Sequence, residues 1–255
     1  MRYAILADIH ANEEALRAVL ADARLRSVDR VVSLGDVVGF NAAPDECAAL
    51  LSEAAAIAVA GNHDLVAIRQ AEPDRFGPRA RRAILWTQQA ISATTHGYLE
   101  SLVEVADVDG AFIACHGSLW SPHDYVKTPE TIDRMFRDLA TYWPRHSICF
   151  FGHTHRRAVH RRDSADSSVA PRGEIALAPG GSYLINPGSV GEPRDEDRRA
   201  SYAILDASSS RLEYHRIPYD RAATLRRARR AGLPPPRRRL ASVLKSILAK
   251  IGYRP

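Results

Sequence analysis

The chain predicts an α/β fold in which two sheets pack face to face with helices on their outer sides. Three observations lead there. In the first half, apolar runs of four to six residues alternate with stretches of helical periodicity. In the second half, short strand-like segments follow one another with only turn residues between them. Five of the apolar runs also end on side chains that bind metals, and in open α/β sheets ligands gather beyond the carboxyl ends of the strands.

The elements follow in order. YAILA runs into Asp8 and His10, and a helix is expected from about residue 12 to 25 because Ala15, Leu16, Val19 and Leu20 recur at helical spacing. RVVSLG runs into Asp36. A second helix fits residues 44–56, with Pro44 in the first turn, where its missing N–H is no loss. AIAVAG runs into Asn62, with His63 and Asp64 behind it, and residues 65–101 read as mostly helical. VEVADVDGAFIACH reads as a hairpin turning at Asp109-Gly110 and delivering His116. A helix over 128–140 precedes ICFFG, which ends on His153 and His155. AVHRR, EIALA, SYLIN, SYAILD and LEYHRI then read as strands, with a polar loop at 163–173. Residues 218–232 read as a basic helix, broken by the prolines at 234–236. A last helix, about 237–251, carries the apolar stripe Leu240, Val243, Leu244, Ile247, Leu248 and Ile251. The chain therefore divides into a body over residues 1–217 and a basic helical extension over 218–255.

Composition narrows the classes. At 255 residues and 45% hydrophobic content there is ample sequence for a core. No apolar run approaches the roughly 20 residues of a membrane span. Cys47, Cys115 and Cys149 are odd in number and lack CxxC spacing, which with the absence of a visible signal peptide points to the cytoplasm. Cys115, one residue before His116, is expected to point into the core. The charge is unevenly placed. Residues 211–255 hold thirteen Lys and Arg against two acidic residues, Glu213 and Asp220, whereas the other 210 carry 22 basic and 28 acidic groups. The basicity belongs to the extension.

The donors at the run ends are Asp8, His10, Asp36, Asn62, His116, His153 and His155, nitrogen and oxygen ligands with no cysteine among them. That mixture suits Mn²⁺, Fe, Zn, Ni or Co better than a purely oxygen-coordinated Ca or Mg, and it argues against a closed structural zinc. Seven ligands exceed what one tetrahedral ion takes. If Asp36 bridges, they divide into two sets of four.

The ordered motifs DIH, GDVVG, GNHD, CHG and GHTH resemble those of the calcineurin-like metallophosphoesterase superfamily over roughly residues 1–155. INPGSVGEPRDEDRRASYAILD resembles its small bacterial single-domain branch and extends the match to about residue 216. The resemblance implies a four-layer α/β/β/α sandwich of two mixed β-sheets. It implies two divalent transition-metal ions, Mn²⁺ first, one on Asp8, His10, Asp36 and His155 and the other on Asp36, Asn62, His116 and His153. It assigns His63 the acid beside the leaving group, with Asp64 orienting its ring, and the nucleophile is a hydroxide bridging the ions. One departure is Ala11, where the family usually has Gly. A left-handed conformation there would be strained. GDVVGF and GNHD differ from the phosphoprotein phosphatase pattern and lower that prior.

The resemblance points to a phosphoesterase acting on a small phosphodiester or nucleotide. A diadenosine polyphosphate hydrolase, a phosphomonoesterase, a nuclease and a non-catalytic scaffold of the same fold remain alternatives, the last discounted because His63 and all seven ligands are intact. Asn12, Phe40 and Tyr125, with Trp120, lie close to the motifs and could contact substrate; the aromatics could stack a base. The Asn186–Ser189 turn is expected either beside the metals or as an ordinary turn. His96, His123, His146, His160 and His215 fall outside the motifs. The final helix is expected to dock on the body or on a second subunit, with contact to nucleic acid or anionic membrane as the other outcome.

Overall fold

A computed structural model of the chain describes residues 1–162, 168–169 and 173–235. The final helix expected at 237–251, with its docking, oligomer and membrane or nucleic-acid roles, lies outside the described residues, as does most of the expected loop at 163–173.

The chain opens with β1 (Arg2–Leu6), α1 (Glu13–Leu25), β2 (Arg30–Ser33), α2 (Pro44–Glu53) and β3 (Ile57–Ala58). The Asn12 side chain accepts from the Ala15 N–H and so caps α1, and Glu13 and Glu14 favour its positive end. α2 stops at Glu53, short of the expected 56, because Ala55 turns left-handed at φ 47°. α3 (Asn62–Ala67), α4 (Pro78–Ala90) and α5 (Ala93–Glu100) fill the stretch read as helical. The hairpin of β4 (Val105–Val108) and β5 (Phe112–Cys115) turns where expected, with Asp109 and Gly110 both at positive φ. α6 (Pro129–Tyr142), capped by Thr128, leads to β6 (Ile148–Phe150). The second half runs through β7 (Arg157–Arg161), β8 (Ser168–Val169), β9 (Gly173–Ala176), β10 (Tyr183–Pro187), β11 (Ala200–Asp206) and β12 (Arg211–Ile217) to α7 (Arg221–Arg230).

Two mixed six-stranded sheets result, in the orders β3-β2-β1-β11-β12-β9 and β4-β5-β6-β10-β7-β8. Alternation along the strands sorts side chains into layers. Tyr3 and Ile5 of β1 meet Phe112 and Ala114 of β5 and Tyr183 and Ile185 of β10 between the sheets. Ala4 and Leu6 face the helices instead, against Leu16, Val19 and Leu51. Ile113, Cys115 and Leu184 face outward on the other sheet and are covered by Met135, Phe136 and Leu139 of α6. The order is helices, sheet, sheet, helix, the four-layer sandwich expected. Cys115 lies in its core and is fully buried.

The beginning of the extension packs into this body. Arg227 of α7 reaches Glu13, Glu14 and Glu46, and the Thr224 hydroxyl donates to Asn12 and Glu14. Ala228 and Leu233 pack with Phe40 and Ala83. Among the described residues no helix is long and apolar enough to cross a membrane.

Candidate metal centre and active site

The seven donors of the sequence converge. Asp8 and His10 follow β1, Asp36 follows β2, Asn62 opens α3, His116 follows β5, and His153 and His155 follow β6. All seven are at most 6% exposed. Asp8, His10, Asp36 and His155 form one group of mutually close donor atoms, and Asp36, His116 and His153 form another. Asp36 belongs to both. Its Oδ2 stands 3.5 Å from His10 Nε2 and 3.4 Å from His116 Nε2, and Asn62 Oδ1 completes the second side 3.1 Å from His116 Nε2.

Backbone carbonyls decide how the imidazoles present themselves. A carbonyl only accepts, so each ring nitrogen beside one must carry the proton. His10 Nδ1 donates to Val38 O at 3.1 Å, His155 Nδ1 to Glu192 O at 2.7 Å and His116 Nδ1 to Leu34 O at 2.7 Å. The Nε2 atoms are thereby turned inward, the arrangement that orients metal-bound histidines. Burial drives His10 and His155 well below the ordinary imidazole range, so both rings are neutral. Their Nε2 atoms nevertheless face each other at 3.2 Å with no proton between them. Asp8 Oδ2, Asp36 Oδ2 and His153 Nε2 are buried without a hydrogen-bond partner. Lone pairs pressed together and carboxylate oxygens left bare are costly in a low dielectric unless a cation sits among them. The residues present fit divalent metal.

The protons such cations would displace are also identifiable. Burial, with Asp36 adding to it, raises Asp8 to about 7. Burial opposes charge on His116, but the Asp36 carboxylate prevails and lifts it to about 10.

The loops holding the donors are bent by unusual backbone. Asp8, His10, Asp36, His153 and His155 all have positive φ, between 51° and 62°, and so does Ala11 at 52°. The strain anticipated at Ala11 is therefore present, of order 1 kcal/mol for a non-glycine residue. Glycine is required where loops touch: a Cβ on Gly61 would stand 2.2 Å from Asp36 Oδ1. The Asn186–Ser189 turn is a brace. Asn186 donates to Gly152 O at 2.7 Å, and the Ser189 hydroxyl donates to Asp8 O at 2.8 Å.

His63 lies 5% exposed at the rim of the centre, and its backbone N–H donates to Asp36 Oδ1 at 2.8 Å. Asp64 does not orient its ring. Neighbouring helical residues point about 100° apart, and the Asp64 carboxylate instead accepts from the N–H groups of Val38 and Gly61 at 3.1 and 2.9 Å. The ring is held by stacking on Phe76, with centroids 4.4 Å apart, and by contacts with Phe40 and His10. Its Nδ1 has no hydrogen-bond partner. Burial lowers His63 to about 4, the Asp36 charge offsetting this only in part.

These groups open into a cavity of about 670 Å³. Phe40 and Tyr125, read as substrate contacts, line it: Tyr125 is 39% exposed and stacks on His153 at 3.9 Å, whereas Phe40 is nearly covered, its ring 4.5 Å from the Arg79 guanidinium. Two expected substrate contacts are placed elsewhere. Asn12 is spent on capping α1 and donating to Gly191 O, and it is not among the cavity's lining residues. Trp120 donates to Asp124 and packs toward α6. Phe76, His123, Arg194 and Arg198 line the cavity although the sequence reading assigned them no role there. All four lie in loops; no periodicity marks such residues.

Arg79 ties the extension to the metal loops. It makes a bidentate pair with Glu192 at 2.9 and 3.2 Å, and its Nε reaches Pro234 O. Glu192 in turn supplies the carbonyl that fixes His155. Arg79→Met should strand a largely buried carboxylate and cost about 2–3 kcal/mol. Urea midpoints check this, and a change under about 0.5 kcal/mol would mean that the brace is idle.

The comparisons agree with the geometry. The family model for the calcineurin-like phosphoesterase superfamily domain matches residues 1–210. An uncharacterized protein of Methanocaldococcus jannaschii is 35% identical over 218 residues, covering 85% of this chain and 87% of that protein. The crystal structure of a metallophosphoesterase from Sphaerobacter thermophilus is 40% identical, with a TM-score of 0.76 over 92% of this chain and 95% of that one. A hypothetical protein from Pyrococcus horikoshii shares the fold at 18% identity, with a TM-score of 0.71 over 91% of this chain and 94% of its own. The chain belongs to the calcineurin-like phosphoesterase superfamily and is a hydrolase of phosphoric esters built around a candidate Asp/His metal site.

Proposed function

We propose that this protein is a dinuclear metal-dependent phosphoesterase acting on a small phosphodiester or nucleotide. The observation that carries the reading is Asp36, whose bare Oδ2 is shared by the two donor groups. Asp8, His10 and His155 would hold one ion with it, and Asn62, His116 and His153 the other. When bound, two such ions would activate a water molecule and screen the charge on the transferring phosphoryl group. The nitrogen and oxygen donors favour Mn²⁺, with Fe, Zn, Ni or Co also compatible.

The chain's own groups do the rest. Burial of the donors keeps bulk water from competing with the reacting atoms. His63 presents a ring nitrogen to the cavity and delivers its proton, or a hydrogen bond, to the departing oxygen. Tyr125 stands in the cavity wall with its ring stacked on His153 and the Lys127 ammonium 4.8 Å from the ring centroid, so a planar leaving group would lie on it by displacing that ammonium.

Elemental analysis after Mn²⁺ loading tests the reading. About two ions per chain are expected at pH 8, with weaker loading at pH 6. The sign follows from Asp8 and His116, which hold more protons as pH falls and must give them up to the metal. Fewer than one ion per chain at pH 8 overturns the dinuclear assignment.

A further inference from the structure

We infer that the cavity beside the metal centre contains a second phosphate subsite, formed by Arg194 and Arg198 with Arg156 at the rim, so that the substrate carries at least one phosphate in series with the scissile one. This rests on the phosphoesterase reading above and names the substrate class within it.

The charges in the cavity wall are unbalanced. Arg79 is neutralised by Glu192, and Arg75 leans toward Asp124 at 3.9 Å. Asp36 belongs to both donor groups. That leaves Arg156, Arg194 and Arg198, all lining the same cavity. Among the described residues no carboxylate pairs with any of the three, and the Arg194 guanidinium has only the Tyr125 hydroxyl, 3.5 Å away. Arg194 and Arg198 are half-buried, so their charges are not fully relieved by water.

Their placement sharpens the point. Arg156 follows the ligand His155, and the Arg194 backbone N–H donates to His155 O at 3.2 Å. The positive charge of Arg194 is felt at Asp8, His10, His63, His153 and His155. Guanidinium groups held beside a centre built for two dications repel it. An anion lying across both relieves that repulsion, and a cavity of about 670 Å³ has room for more than one phosphate. Paired guanidinium forks suit phosphate oxygens in bidentate geometry. A diphosphate or triphosphate, with its scissile end at the metals and the next phosphate on Arg194 and Arg198, satisfies all of these charges at once.

The test compares two esters that release the same nitrophenol, so that only the trailing phosphates differ: the 4-nitrophenyl ester of a nucleoside monophosphate and the γ-(4-nitrophenyl) ester of a nucleoside triphosphate. The wild type should prefer the triphosphate ester by about 10- to 100-fold in kcat/KM, the effect of one or two charge-assisted hydrogen bonds, with most of it in KM. Arg194→Gln/Arg198→Gln should shrink that ratio to within about threefold at unchanged metal content. A wild type without the preference, or a double variant that keeps the ratio while both esters slow together, overturns the subsite. A second measurement does not depend on catalysis: calorimetric binding of inorganic tripolyphosphate to the metal-free protein should weaken about tenfold in the double variant. Equal affinities overturn the proposal even if the enzyme proves active. Cleavage of neither ester, with tripolyphosphate still bound through the arginines, supports the subsite and counts against the phosphoesterase reading instead.

Discussion

Asp36→Asn is expected to lose at least 100-fold in metal affinity, and hydrolysis with it. Loss of a partner one layer outside the ligands already costs 10- to 100-fold in metal-binding proteins, and Asp36 is shared by both donor groups. The fold should survive. An amide has the same shape as the carboxylate and can still accept the His63 N–H now bonded to Oδ1 at 2.8 Å. Its NH₂ would also have an acceptor in His10 Nε2, 3.5 Å from the present Oδ2, while His116, which holds its extra proton because of the Asp36 charge, would become neutral. The metal-free variant gives up the buried pair between Asp36 and the His116 it keeps protonated, so it should melt somewhat below the metal-free wild type while still unfolding cooperatively. Elemental analysis and thermal melts read the two effects apart. If the variant keeps two ions, Asp36 is not the bridge.

Replacing His63 by Ala should leave metal content intact and lower kcat on the order of 10²–10⁴ for esters with poor leaving groups. His63 is not one of the proposed ligands, and its ring lies beside the centre, stacked on Phe76. Its depression to about 4 by burial matters to the outcome. At pH 7 the ring of the metal-free chain is neutral, so it acts as a general acid only if bound substrate raises it; otherwise it acts as a hydrogen-bond donor. Leaving groups separate the two. A general acid is needed least by nitrophenyl esters, whose departing oxygen is stable as an anion, so those should lose less. Equal losses on nitrophenyl and alkyl esters would assign charge stabilisation in place of proton transfer. His63→Gln, which keeps a polar group in the aromatic slot, guards against a packing defect in the Ala variant.

What could be read along the chain was whatever a short window of sequence controls. Apolar runs ending on Asp8, Asp36, His116 and His153 located strand ends, and the types of donor there named a nitrogen and oxygen metal site. The hairpin at Asp109-Gly110 and the helices over α1, α2 and α6 were legible for the same reason: local periodicity and turn chemistry set them.

What the sequence could not show depends on groups distant in the chain or common to every residue. The carbonyls of Leu34, Val38 and Glu192 fix the imidazoles, and a carbonyl carries no side-chain signature. Asp64, adjacent to His63 and read as its orienting partner, turned out to cap a helix, because helical geometry points consecutive side chains apart. Asn12 went to a cap as well. Arg194 and Arg198 line the cavity beside the donor groups only because the segment between β10 and β11 folds back over the ends of β1 and β6, and Arg79 joins Glu192 across 113 residues. The types of ligand are a property of the residues. Which lone pairs face one another, and which charges are left without a counter-ion, exist only once both sheets are packed.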